Sequence, residues 1–85
     1  MLYILYGFIK ESKMIYTNTE EIFLHIRKLM LSEKVTVTEL AKRLNKSQPA
    51  TSALLKQKNV SLDTLKDICD ALNCKIEINI SKIED

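Results

Sequence analysis

The side chains best suited to chemistry in this chain are few, and their spacing does not assemble a catalytic set. Glu20 with Glu21 and Asp67 with Asp70 are the carboxylate pairs that general acid–base work would use. No nucleophile or glycine-rich loop accompanies them, so they read as first-turn charges and a solvated helix face, and an enzyme is not expected. Cys69 and Cys74 stand five residues apart, a spacing of no common zinc pattern, and His25 is the only histidine. No metal or cofactor is expected. Both cysteines read as small apolar core residues in a reducing cytoplasm, and His25 as an exposed or partly packed helix residue. What remains is a run of small, neutral side chains, Ser47, Gln48, Ala50, Ser52 and Ala53. Within it the Gln48 amide can donate and accept hydrogen bonds at once.

Those residues need elements to hold them. The 85 residues make one small domain, and chains this short often gain stability from a partner. Hydrophobic residues at 46% and charged residues at 28% are a soluble globular balance, and one Gly and one Pro speak against an all-β protein. Residues 19–32 read as a helix, with Ile22, Ile26, Leu29 and Met30 at helical spacing; Asn18 is its N-cap and Thr19 the rival. Thr36 to Glu39 is a capping box that starts a second helix through Leu40, Ala41 and Leu44, ending at Asn45. Ser47 caps a third, with Pro49 tolerated in its first turn, running to about Lys56. Ser61 caps a fourth whose apolar face is Leu62, Leu65, Ile68, Cys69 and Leu72, with Asn73 at its end.

Residues 74–80 alternate strictly, with Cys74, Ile76, Ile78 and Ile80 on one side, and predict a half-buried strand. A strand needs a partner for its backbone. The candidates are the same strand in a second copy, with Ile76, Ile78 and Ile80 at the dimer contact, or the apolar run at residues 2–9. That run is too short to span a membrane, and its lysines, Lys10 and Lys13, follow rather than precede it, which reads against an export signal. Lys10-Glu11 ahead of Met14 fits a ribosome-binding site read as codons, so Met1 and Met14 are both open as the natural start, and mass spectrometry of the native protein distinguishes them. The expected organisation is an N-terminal segment at 1–16, a helical domain at 17–73 and a C-terminal strand and tail at 74–85.

Charge divides the chain. Residues 33–59 hold six Lys and Arg against two acids, while residues 60–85 hold three Lys against six acids. Phosphate would be drawn to the first stretch and repelled by the second. Within the first stretch two short helices follow each other across a minimal turn. The outer face of the second avoids acid and offers Gln, Ser and small residues, where an ordinary solvated helix would carry Glu and Lys pairs. Such a face suits the major groove of DNA.

Thr36-Val37-Thr38-Glu39-Leu40-Ala41-Lys42-Arg43-Leu44-Asn45-Lys46-Ser47-Gln48-Pro49-Ala50-Thr51-Ser52 resembles the helix-turn-helix of the Cro and phage-repressor type. Residues 61–73 are similar to the later helix of that family, so the resemblance covers about residues 20–80. It implies a mostly α fold, a four- or five-helix bundle of the lambda-repressor-like type, here with a C-terminal β-strand. It implies binding to double-stranded operator DNA, usually as a homodimer, with the third helix as recognition helix. Carried over by position, Gln48, Pro49, Ser52 and Ala53 fall on base-facing positions. Thr36, Lys46, Ser47, Lys56, Lys58 and Asn59 fall where backbone phosphates are met.

Departures from the pattern matter. Val37 replaces a usual Gln, which removes one phosphate contact. Thr51 takes a buried, normally aliphatic position, so its hydroxyl needs a backbone acceptor. Leu55 and Gln57 replace the usual Glu and Gly, which leaves the exit path of the loop open. Ala53 has little reach, which leaves DNA shape a share in specificity. The leading expectation is a transcriptional repressor acting as a dimer on a palindromic operator. The alternative is an antitoxin of the same fold that binds a partner toxin and autoregulates its own operon.

Overall fold

A computed structural model describes residues 14–84. The run at residues 2–9 and its pairing with the C-terminal segment lie outside the described residues. Four helices follow in order: α1 (Thr19–Ser32), α2 (Val37–Leu44), α3 (Gln48–Leu54) and α4 (Leu62–Ala71). Each begins at the residue whose side chain can accept its orphan amide. Asn18 Oδ1 accepts from the Glu21 N–H at 2.9 Å, Thr36 Oγ1 from Glu39 at 3.1 Å, Ser47 Oγ from Ala50 at 3.2 Å and Ser61 Oγ from Thr64 at 3.1 Å. Thr19, the rival cap, is the first helical residue and is buried. The reciprocal half of the capping box is not made. The Glu39 carboxylate accepts from Arg43 Nε at 3.4 Å, one turn along the same helix.

Three helices end on a residue in the left-handed conformation, Lys34, Asn45 and Asn73, each at φ 57°. In each case the next N–H reaches back five residues: Val35 to the Met30 carbonyl at 2.9 Å, Lys46 to Ala41 at 2.9 Å and Cys74 to Cys69 at 2.8 Å. These are Schellman closures, a use glycine usually serves. Asn tolerates that backbone through its short polar side chain; Lys does not. Lys34→Gly is expected to stabilise the fold by about 1 kcal/mol, and so to raise Tm by roughly 4–8 °C in a domain of this size. An unchanged or lower Tm in a thermal melt would show that residue 34 carries no backbone strain.

α2 is the hub, packed against both α3 and α4. Leu40 is fully buried and Ala41 nearly so, which lets α3 approach closely. Around them gather Phe23, Ile26 and Met30 of α1, Val35, Leu55, and Leu65, Ile68 and Leu72 of the α4 region. Two arginines tie the frame across 28 residues of sequence each. Arg27 Nη2 donates to the Leu55 carbonyl at 3.4 Å, and Arg43 Nη1 to the Ala71 carbonyl at 2.9 Å.

The strand expected at 74–80 is not formed: no strand occurs among the described residues. Ile76, Ile78 and Ile80 are 38%, 61% and 91% exposed. The alternation is in the sequence, but a strand exists only where a neighbouring strand pairs with it, and no strand lies beside this segment among the described residues. α3 also stops at Leu54 rather than near Lys56. Beyond that end the N–H groups of Lys56 and Gln57 reach back only three residues, to Ala53 and Leu54.

Cys69 is buried and Cys74 half-buried, with the Cys74 thiol donating to the Leu72 carbonyl at 3.2 Å. Burial pushes the Cys69 thiol up from its ordinary value, with the Cys74 thiol adding to the effect. At neutral pH a thiol reagent is therefore expected to alkylate Cys74 first, and Cys69 only as the fold opens. Faster labelling of Cys69, read by mass spectrometry of the digested chain, would contradict this placement. No helix among the described residues is long and apolar enough to cross a membrane.

Candidate nucleic-acid interface

α3 has an inner and an outer side, and sequence sets both. Thr51 and Leu55, one turn apart, face the core at 0% and 3% exposure. The Thr51 hydroxyl donates to the Ser47 carbonyl at 2.9 Å, so the polar atom at this aliphatic position is satisfied within its own helix. Leu55, left open by the sequence, fills the core just past the helix end, and its carbonyl is held by Arg27. These two anchors fix the rotation of α3 about its axis.

That rotation turns the other side outward. Gln48, Pro49, Ala50 and Ala53 are exposed, as is Lys56 beyond the helix end. Ser52, expected on the same face, is only half-exposed and lies at its edge. No acidic residue occurs in α3. Ser47 spends its hydroxyl as an acceptor for the cap, which leaves the hydroxyl hydrogen to donate elsewhere.

The expected phosphate-contact residues lie on the surface, and of the six only Lys46 and Asn59 share a cleft. Thr36, Lys46, Ser47, Lys56, Lys58 and Asn59 are all exposed. Lys46, in the turn before α3, and Asn59, in the loop after it, line one open cleft together with Gln57 and Arg43. The far wall of that cleft holds Asp67 and Asp70 of α4. Asp70 is engaged by Lys66 at 2.8 Å, and this pairing holds the Lys66 ammonium above its ordinary value. The basic stretch and the acidic stretch thus meet at the cleft. The sequence did not single out Arg27 and Arg43 as positioning residues. Their acceptors are backbone carbonyls 28 residues away, which no local pattern marks.

A family model for the Cro/C1-type HTH DNA-binding domain matches residues 25–77, more than half of the chain. The chain belongs to the Cro/C1-type helix-turn-helix DNA-binding domain family. The match runs from within α1 through the end of α4 and takes in the first of the C-terminal isoleucines. No curated protein and no solved structure matches the chain. Membership makes this a DNA-binding domain, and α2 and α3 are its helix-turn-helix.

Proposed function

We propose that this Cro/C1-type protein is a sequence-specific transcriptional regulator of the cytoplasm, a repressor that closes a palindromic operator as a homodimer. The observation that carries the reading is the outer face of α3: acid-free, exposed and led by Gln48, with Lys46, Lys56 and Lys58 flanking it. A Gln amide matches the N6 and N7 edge of adenine with two hydrogen bonds, which reads sequence. The flanking Thr36, Lys46, Ser47, Lys56, Lys58 and Asn59 would meet phosphates, which fixes register without reading sequence.

The dimer rests on the C-terminal row. Ile76, Ile78 and Ile80 are exposed and alternate, a pattern that gains its hydrogen bonds and buries its apolar side when the same segment of a second copy lies alongside. Two recognition helices would then sit about 34 Å apart, one turn of DNA. Ile78→Asp places like charges opposite each other at the two-fold axis. Sedimentation is expected to show the native chain as a dimer and the variant as a monomer. A monomeric native chain, or a variant that still dimerises, would remove this contact from the account.

The test of function is fluorescence anisotropy with DNA from upstream of the gene against a scrambled duplex at two salt concentrations. Tighter binding to the native duplex that persists at the higher salt supports the regulator. Equal binding that collapses with salt leaves only phosphate attraction and counts against an operator in that DNA, which turns the reading to a distant operator or to a protein partner.

A further inference from the structure

Building on the DNA-binding reading, we propose that α3 reads a half-site centred on A·T pairs, with the thymine methyl groups recognised by the carbon surfaces of Pro49 and Ala53. The major groove shows each base pair a different need. Guanine is read by Arg or Lys at O6 and N7, and cytosine by a carboxylate at N4. From Ser47 through Leu55 the chain carries no Arg, Lys, Asp or Glu, so neither reader is present on the helix. Lys56 lies beyond the helix end. The groups the helix does present are one amide, at Gln48, and exposed apolar carbon at Pro49, Ala50 and Ala53. Pro49 and Ala53 are one turn apart and point opposite to the buried pair Thr51 and Leu55, so they form the most outward part of the helix. Neither can hydrogen-bond a base edge. The base-edge group that rewards apolar contact is the thymine C5 methyl. The half-exposed Ser52 sits at the edge of this face and is compatible with any base pair.

The experiment selects bound duplexes from a randomised pool with the full chain, then measures affinity for the enriched duplex with dT replaced by dU at one position at a time. The replacement deletes the methyl group and leaves base pairing intact. The expected result is A·T pairs at the enriched half-site positions, a loss of about fourfold at one or two of their thymines, and no loss at dU placed in the flanks. Ala53→Gly should then abolish the loss at one of those positions; since the dU series itself uses the native protein, its outcome does not depend on how well that variant folds. Enrichment of G·C pairs in the half-site, or full affinity at every dU, overturns methyl readout while leaving specific DNA binding in place. No enrichment over the starting pool overturns both.

Discussion

Gln48→Ala is expected to weaken binding to the enriched or native operator roughly 5- to 150-fold, the range of one bidentate adenine contact, while binding to a scrambled duplex stays within error. The two outcomes separate because Gln48 is uncharged and exposed at the start of α3. Removing its amide releases no counterion and touches no core residue, so neither the salt dependence nor the melting temperature should move. Lys56→Ala and Lys58→Ala should do the reverse. Each should weaken all duplexes alike and reduce the salt slope by about one. If Gln48→Ala weakened both duplexes equally, the residue would be meeting phosphate or shaping the helix, and base readout would have to lie elsewhere on the face.

Leu40→Ala carries the largest expected cost to stability. Leu40 is fully buried on the helix that contacts both α3 and α4. Truncating a leucine in such a place costs about 2–5 kcal/mol. A chain of this size commands only about 4–13 kcal/mol in total, so the loss takes a large share of the folding free energy. Urea unfolding should show a lower midpoint at unchanged slope. DNA binding should fall only as far as the folded fraction falls, because Leu40 touches no part of the outer face. Leu31→Ala, at a position 80% exposed, should change stability by less than about 0.5 kcal/mol. Equal effects of the two substitutions would show that the core is not centred on α2.

What the sequence discloses about this fold is local. Asn18, Thr36, Ser47 and Ser61 were legible as helix starts because a cap is a contact between residues three apart. Asn45 and Asn73 were legible as stops because Asn tolerates the left-handed backbone that closes a helix, and the buried position of Thr51 announced its bond to Ser47. The misses are the long-range terms. Leu55 stands where the pattern usually has Glu and its core position is not marked locally, because its burial depends on where α1 and α4 pass. The bonds from Arg27 and Arg43 to distant carbonyls have no sequence signature. The alternation of Ile76, Ile78 and Ile80 predicts a strand, yet a strand is a property of two segments, and no strand is formed among the described residues. At the interface, the outward set on α3 was legible from helical spacing, but the retreat of Ser52 to half-exposure was not, since it depends on how α3 is rotated by Thr51 and Leu55.

On the proposed reading, DNA meets the outer face of α3. The most direct measurement is an amide and side-chain NMR titration of the full chain with the enriched duplex. The largest shifts are expected at Ser47 through Lys58, including the Gln48 side-chain amide, with a smaller set at Thr36, and near silence at Asp63, Asp67 and Asp70 of α4. Shifts concentrated on α1 or α4, with the Gln48 amide unmoved, would contradict it.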